Sequence, residues 1–310
     1  MTQERPTLIF LHIHKTAGTS LKHLLTRLYP RDTTLLMDQR YFRLQDALDE
    51  LAGLEPAGLE RIDCLIGHVA YGVHRLLPRP PAYITMLREP VARTLSHYQF
   101  LRTVPAPFIT RILDEKTQLT PYERRFRDHL RPDDTPANSL AAFLDMSRES
   151  ESLNLQTRMI GGFVPSDRFV PPYPPLPPNA LEVAKANLRN HIAAFGLVER
   201  FDESLMLMKS QLGWRTIHYL RENVTRGPAR RSAADRSLLQ AIERDCGLDL
   251  ELYEFARHLL EERLREAREI TSAALQDYRR GNRAYQRLHA LYDRSGLRRL
   301  RSLIGSTLRS

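Results

Sequence analysis

The sequence predicts an α/β fold: a mostly parallel central β-sheet flanked by helices, followed by a helical extension at the C-terminus. Short apolar runs rich in β-branched residues alternate along the chain with segments whose leucines recur at helical spacing. The first apolar run, residues 7–13, leads through a short glycine-containing loop into such a helix. A chain that repeats this strand–loop–helix order builds a parallel sheet with helices on its faces.

The predicted elements follow in chain order. Strands are expected at 7–13, 33–37, 62–66, 82–87 and 193–198, with a last strand at 214–219. Helices are expected from the first loop to residue 28, and at 91–102, 138–146, 152–160, 181–190, 199–212 and over most of 233–270. Thr19 and Ser20 are the N-cap candidates of the first helix. Residues 165–178 hold seven of the 20 prolines and are expected to form a surface loop.

The composition indicates a globular protein with an excess of positive charge. The 310 residues are 42% hydrophobic and 27% charged, and their formal net charge is +9. No apolar run approaches the ~18 residues that a membrane-spanning helix needs, and the N-terminus lacks the apolar stretch of a secretory signal. Two cysteines, Cys64 and Cys246, are too few for a disulfide framework or a four-cysteine zinc site. Nucleic acid, an anionic membrane and a polyanionic small molecule are the partners that this charge allows.

Most of the excess charge lies at the C-terminal end. Residues 271–310 contain nine arginines and two aspartates, so this segment carries +7 and the rest of the chain only +2. Leu297, Leu300, Ile304 and Leu308 form an apolar stripe among the arginines. We therefore divide the chain into a domain at 1–270 and a basic amphipathic helical tail at 271–310. The alternatives for the tail are contact with an anionic membrane surface and packing on its own domain or on a second copy in a homo-oligomer.

The loop after the first strand has the character of an anion site. Residues 14–20 read HKTAGTS, between the predicted strand and helix. Backbone N–H groups and the positive end of a helix dipole bind phosphate at such a junction, and Lys15 adds a movable positive charge. The lysine precedes Gly18, so the loop is not the common nucleotide-binding motif, and the three-glycine dinucleotide pattern is absent. An ordinary turn between strand and helix is the alternative interpretation.

A second candidate anion site follows the strand at 82–87. Residues 87–98 read LREPVARTLSHY and lead into a helix. Arg88 lies at the carboxyl end of that strand, where ligands bind in open α/β sheets. Ser96 would approach it if the helix turned back over the strand end, and together they would hold a phosphate. A local surface pair of Arg88 with Glu89 is the alternative.

These two segments together resemble the carbohydrate sulfotransferases. HKTAGTS at 14–20 is similar to the loop that binds the 5′-phosphosulfate in that family, and LREPVARTLSHY at 87–98 is similar to its 3′-phosphate-binding segment. The resemblance is strongest to the branch that includes heparan sulfate 2-O-sulfotransferase, in a bacterial-type, soluble form. It extends over most of residues 7–260 but is sharp only in three short patches. It implies a P-loop-like domain, 3′-phosphoadenosine 5′-phosphosulfate (PAPS) as the donor, and no metal.

The resemblance also implies roles for the matching residues. Lys15 would contact the bridging oxygen and the sulfonate, and would neutralise charge as the phosphate leaves. Arg88 and Ser96 would hold the 3′-phosphate, and Thr225 or Arg226, in a late loop, would touch the nucleotide. The residues implied to surround the 5′-phosphate are His14, Lys15, Thr16, Ala17, Gly18, Thr19 and Ser20.

His68 is the candidate general base, again by resemblance. Related enzymes have a Gly-His step after the equivalent of the strand at 62–66, and Gly67 and His68 match it here. A histidine suits the removal of a proton from a hydroxyl because its pKa lies near neutral pH. Some relatives carry a second histidine two positions before the base, where this chain has Ile66. His74 is therefore a candidate partner of His68.

The sequence indicates fewer residues for the acceptor site than for the donor site. Asn154 and Gln156 resemble amides that face the acceptor pocket in the family, and a partly exposed structural helix is the alternative. The predicted reaction is transfer of a sulfuryl group from PAPS to a hydroxyl of a carbohydrate. A protein tyrosine, a lipid or a small metabolite are the alternative acceptors.

Two other classes of function are weighed against this prediction. A phosphoryl-transfer enzyme would need carboxylates that hold Mg²⁺, and no predicted strand ends in a clear aspartate. A non-catalytic basic protein that binds a membrane or nucleic acid is the second alternative, although the sequence has no zinc-finger or aromatic RNA-binding signature. We expect an enzyme with no nucleic-acid partner and a cytoplasmic location, with peripheral attachment at the inner membrane surface as the alternative.

Overall fold

The computed structural model of the protein describes most of the chain. The described residues are 5–37, 51–103, 121–129, 139–164, 172–221 and 236–294. Two expectations fall outside these ranges: nucleotide contact by Thr225 or Arg226, and the apolar stripe in the last part of the tail. Of the predicted loop at 165–178, only 172–178 is described, and it contains no helix or strand.

The centre of the described fold is a parallel β-sheet. Its strands are β1 (Thr7–Leu11), β2 (Thr34–Leu36), β3 (Cys64–Gly67), β4 (Pro81–Leu87) and β5 (Ile192–Leu197). They lie in the order β2-β3-β1-β4-β5, and every pair of neighbours runs parallel. The predicted α/β class is confirmed, and the first five predicted strands are present with small changes at their ends.

Helices flank the sheet and extend the C-terminal side. They are α1 (Gly18–Leu28), α2 (Pro56–Glu60), α3 (Pro90–Thr103), α4 (Pro121–His129), α5 (Leu140–Glu149), α6 (Leu155–Gly161), α7 (Ala180–Asn190), α8 (Phe201–Leu212), α9 (Arg236–Asp245), α10 (Gly247–Glu266) and α11 (Ser272–Arg294). Helix α6 ends where predicted, because Gly162 adopts the left-handed conformation (φ 80°) that closes a helix.

The central strand β1 separates two hydrophobic cores. Successive side chains of a strand point to opposite faces of the sheet. Ile9 and Leu11 therefore join the core that includes Leu252 of α10, whereas Phe10 joins the core that includes Leu21 of α1. All of β1 is buried, which explains why its sequence is a continuous apolar run instead of an alternating one.

The carboxyl ends of the three central strands meet at one edge of the sheet. β1 pairs with β3 on one side and with β4 on the other. The chain leaves these strands at His12, His68 and Arg88, which lie in or next to the three segments singled out in the sequence. Parallel topology alone therefore brings all three segments together.

The last predicted strand, at 214–219, is wrong. Trp214, Ile217 and Tyr219 are buried as a strand would require, but the segment is irregular and pairs with no strand in the described structure. Its backbone is bonded to side chains instead. The N–H of Tyr219 donates to Oδ1 of Asn282 (2.8 Å), and the hydroxyl of Tyr278 donates to the carbonyl of Ile217 (3.0 Å).

Helix α11, the described part of the predicted tail, packs on the domain through these bonds. Arg279 adds an ion pair with Asp202 of α8 at 3.0 Å. Leu288 and Leu291 are exposed on its outer side. The packing alternative thus holds at Tyr278, Arg279 and Asn282. The boundary at 270 and any contact of the tail with a membrane or a second copy stay predictions. Among the described helices, none is both long and apolar enough to cross a membrane.

Candidate active site

The loop between β1 and α1 is held in an unusual backbone conformation. Lys15 (φ 66°) and Ala17 (φ 58°) both adopt the left-handed region, which non-glycine residues rarely occupy and which clusters at functional sites. The hydroxyl of Thr16 donates to the carbonyl of Ile13 (2.8 Å) and closes the turn between them.

The N-cap prediction for α1 is wrong. The helix begins at Gly18, with Ala17 at the N-cap position and no side chain bonded there. Thr19 and Ser20 consequently lie inside the first turn, because the left-handed Ala17 starts the helix earlier than a threonine or serine cap would. A helix that starts without a side-chain cap directs its first N–H groups toward the loop, the arrangement that binds anions.

Gly18 is required by a close contact. A Cβ placed on this residue would lie 1.9 Å from the ring of His12. Only glycine therefore lets the start of α1 approach the end of β1 this closely. The His12 ring held in this way is 7% exposed and stacks on the ring of His68, at 4.2 Å between centroids.

Arg88 connects the two candidate anion segments. Its Nη1 donates to the carbonyl of Lys15 at 3.1 Å, although 73 positions separate them in the chain. The Nζ of Lys15 lies 4.1 Å from the ring centroid of Phe100 on α3, a cation–π contact. Burial, together with the positive charge of Arg88, lowers the pKa of Lys15 to about 8. Lys15 is thus charged at neutral pH but close to losing its proton.

The orientation of His68 is fixed by a backbone contact. Its Nδ1 lies 2.6 Å from the carbonyl oxygen of His12. A carbonyl can only accept, so Nδ1 carries the proton in this contact. In the neutral ring the other nitrogen, Nε2, is then the one able to take up a proton.

His68 lies inside a column of stacked imidazole rings. The His14 ring also stacks on that of His68, with centroids 3.7 Å apart and planes inclined by 22°. His97 of α3 continues the column, 6.1 Å from His14. Burial is the main cause that holds the pKa of His14 well below its usual value, with His68 and Arg93 adding to the effect. Burial and Arg93 lower the pKa of His97 to about 3. These two rings are therefore neutral at neutral pH.

His74, the proposed partner of His68, contacts Tyr83 of β4. Its Nδ1 lies 2.9 Å from the hydroxyl of Tyr83, and the same hydroxyl accepts the backbone N–H groups of Gly72 and His74. The hydrogen bonds described for His74 thus connect the loop after His68 to the side chain of Tyr83. Assistance to His68 stays a prediction.

The two predicted acceptor amides are bonded to the protein itself. The side chain of Gln156 accepts from the N–H of Arg88 (2.9 Å) and donates to the carbonyl of Arg88 (3.0 Å). Asn154 donates to the carbonyl of Asp245 and accepts from the N–H of Asp249. These bonds give both amides a structural task, so their contact with an acceptor stays a prediction.

The structure adds site residues that the sequence did not single out. Arg93 and His97 lie on α3, which follows Arg88, and they face the histidine column. Phe100, on the same helix, lies next to Lys15. The signal was available in part: residues 93, 97 and 100 recur at helical spacing, and the first two lie within the segment that resembles the 3′-phosphate site. Ser96, of that segment, is buried on α3. The sequence around Asp249 does not indicate a site residue, because helix α10 brings it to the site from a distant part of the chain.

The fold and the site define an α/β protein with a lysine-containing loop after its central strand, an arginine at a neighbouring strand end and a histidine oriented by a backbone carbonyl. No family model matches the chain. The chain is similar to heparan-sulfate 6-O-sulfotransferase 3 of Mus musculus, with 27% identity over 298 residues. The match covers 86% of this chain and 60% of the relative, so the chain spans less than two thirds of the relative's length. This similarity supports a relationship to the carbohydrate sulfotransferases. The narrower resemblance to the 2-O branch stays a prediction.

Proposed function

We propose that the protein is a sulfotransferase that moves a sulfuryl group from PAPS to a hydroxyl of a carbohydrate. The observation that carries the proposal is the bond between His68 Nδ1 and the carbonyl of His12, at 2.6 Å. It joins the candidate base to the residues that lead directly into the Lys15 loop. Base and anion loop thus form one constellation built from two neighbouring strand ends.

The two anion segments are suited to the two phosphate groups of this donor. The loop at 14–20 offers the start of α1 and the Lys15 ammonium for the 5′-phosphosulfate. Arg88 offers a guanidinium, whose planar fork matches a phosphate, for the 3′-phosphate, with Ser96 on the following helix. Their junction through the Lys15 carbonyl supports a single ligand that spans both.

The proposed reaction is an in-line displacement at sulfur. The acceptor oxygen forms a bond to sulfur while the bond between sulfur and the bridging phosphate oxygen breaks. The proton of the acceptor hydroxyl passes to Nε2 of His68, and the leaving group is adenosine 3′,5′-bisphosphate. Lys15 stabilises the negative charge that develops on the bridging oxygen. In the partly buried loop, the attraction between the Lys15 ammonium and this oxygen is stronger than it would be in water.

A carbohydrate is the acceptor that the similarity favours. The relative named above is a sulfotransferase of heparan sulfate, by its name at the 6-O position. We extend to this chain only the class of acceptor, a hydroxyl on a sugar. The position sulfated and the branch of the family are questions for an acceptor panel.

Calorimetry tests the donor site without any acceptor. We expect adenosine 3′,5′-bisphosphate to bind in the absence of metal, with Lys15→Ala and Arg88→Ala weakening it. ATP with Mg²⁺ is the comparison ligand. Tight binding of ATP that depends on Mg²⁺, with no binding of the bisphosphate, would favour phosphoryl transfer and refute the proposal.

A further inference from the structure

We propose that Asp249, on helix α10, is a positioning residue for the 3′-phosphate site. It acts through Gln156, whose amide holds the backbone of Arg88. The inference rests on the proposed function, since it assigns Arg88 to the 3′-phosphate of the donor. Nothing in the local sequence around Asp249 suggests this role, because the residue lies 161 positions after Arg88.

The carboxylate of Asp249 fixes the start of helix α6. Oδ1 accepts from the N–H of Thr157 (2.8 Å) and from its hydroxyl (2.8 Å), and Oδ2 accepts from the N–H of Gln156 (3.2 Å). The side chain of Asp249 is fully buried. The N–H of Asp249 in turn donates to Oδ1 of Asn154 (3.0 Å). α6 and α10 are therefore locked together in both directions at this point.

Gln156, held by Asp249, in turn fixes the backbone of Arg88 at the end of β4. Its Oε1 accepts from the N–H of Arg88 and its Nε2 donates to the carbonyl of the same residue. Two opposed hydrogen bonds to a single residue restrict both of its backbone dihedral angles. Gln156 is fully buried, so water cannot replace either bond without opening the structure.

The constrained residue is the one that carries the phosphate-binding guanidinium. Arg88 directs its Nη1 to the carbonyl of Lys15. Arg93, on α3 and five residues after Arg88, places Nε 4.0 Å from Oδ2 of Asp249, and both side chains are buried. Nε and Nη1 of Arg93 have no hydrogen-bond partner among the described residues. Asp249 thus also places a negative charge beside this buried cation.

The test separates positioning from general stability through two ligands that differ by a single group. Adenosine 3′,5′-bisphosphate carries the 3′-phosphate, and adenosine 5′-monophosphate does not. In the wild-type protein we expect the bisphosphate to bind more tightly. In Asp249→Asn and Gln156→Met we expect its affinity to fall by about tenfold or more, while the affinity for the monophosphate changes by less than about threefold.

Two matched controls accompany these variants. Asp245→Asn removes a carboxylate that pairs with Arg148 on α5 and does not touch Gln156. Asn187→Leu removes a buried amide that donates to the carbonyl of Ile160, at the opposite end of α6. Both should keep the wild-type preference for the bisphosphate. Circular dichroism and thermal melts establish which proteins are folded. If Asp249→Asn does not fold, the test rests on Gln156→Met.

The outcomes are distinguishable. If the wild-type protein does not prefer the bisphosphate, the proposed function itself fails. If it does, and Gln156→Met or a folded Asp249→Asn keeps the full preference, the positioning role is refuted. An equal loss of both ligands in these variants would also refute it, because that result reports a general loss of site structure.

Discussion

The Nδ1 atom of His68 lies 2.6 Å from the carbonyl oxygen of His12. This bond joins the loop after β3 to the end of the chain segment that enters the Lys15 loop, and it determines which nitrogen of His68 can accept a proton. The oriented imidazole and the anion loop are therefore one structural unit, and the first predictions concern its members.

Replacement of His68 by alanine should abolish the base without removing the donor site. A general base contributes about 10²–10⁴-fold to a rate, so we expect sulfuryl transfer to fall by that factor in His68→Ala. Affinity for adenosine 3′,5′-bisphosphate, measured by calorimetry, should stay close to the wild-type value. His23→Ala, on the exposed side of α1, is the control. Near-normal turnover in His68→Ala would remove the assignment.

Lys15 should matter more for turnover than for binding. Its ammonium meets charge that develops only as the phosphate leaves, so Lys15→Ala should lower kcat far more than it weakens binding of the bisphosphate. Equal losses in both quantities would contradict this role.

The pKa of Lys15 also predicts the alkaline limit of the reaction. Its pKa of about 8 means that the positive charge is present below about pH 8 and is lost above it. We expect kcat/KM to decline as the pH rises through this value. Lys15→Arg keeps its charge, so whatever activity it retains should persist to higher pH. An identical alkaline decline in both proteins would assign it to another group.

The contact between Gly18 and His12 predicts the effect of a single methyl group. Gly18→Ala would place a Cβ within 1.9 Å of the His12 ring, so the ring must move, and with it the stack that includes His68. We expect a loss of about 1–3 kcal/mol in the free energy of unfolding and a fall in turnover. Gly247→Ala is the control, because a Cβ at Gly247 would meet no atom within 4 Å. Equal behaviour of the two variants would contradict the account.

The histidine column predicts a stability that falls in acid. His97, with a pKa of about 3, and His14, with a lowered pKa, stay neutral in the folded protein. In the unfolded chain both take up protons near pH 6.5. Between about pH 6.5 and pH 3 the unfolded state therefore binds more protons, and the free energy of unfolding decreases as the pH falls.

A variant isolates this effect. Below about pH 6.5, the free energy of unfolding in urea should fall less steeply with pH in His97→Phe than in the wild-type protein. The slope should decrease by up to about 1.4 kcal/mol per pH unit, which corresponds to one bound proton. His23→Phe, which alters an exposed ring on α1, should leave the slope unchanged. A slope in His97→Phe equal to that of the wild-type protein would show that His97 is protonated when folded.

Several features could be read from the sequence because they depend on neighbouring residues. The apolar run at 7–13 and the HKTAGTS loop predict a strand, a tight turn and a helix, and the structure has all three. Arg88 could be placed at a strand end by the same local reasoning. Parallel topology then brings the two segments together without further information.

The remaining features depend on distant parts of the chain. The segment at 214–219 has the apolar content of a strand, but Asn282 and Tyr278 of α11 supply its backbone partners. The two hydrogen bonds that Gln156 forms with the backbone of Arg88 join residues 68 positions apart, so no local pattern predicts them. The start of α1 at Gly18 depends on the His12 ring and on the left-handed Ala17, neither of which a capping pattern encodes.

Transfer of labelled sulfuryl to a defined glycan tests the central claim most directly. The wild-type protein and His68→Ala are incubated, without added metal, with PAPS labelled in the sulfonate and a panel of unsulfated and partly sulfated polysaccharides. Product is identified by mass spectrometry. We predict label on a sugar hydroxyl with the wild-type protein, and a loss of about 10²-fold or more with His68→Ala. The account would be contradicted if the wild-type protein bound the bisphosphate yet labelled no sugar, or if His68→Ala labelled the same glycan at the wild-type rate.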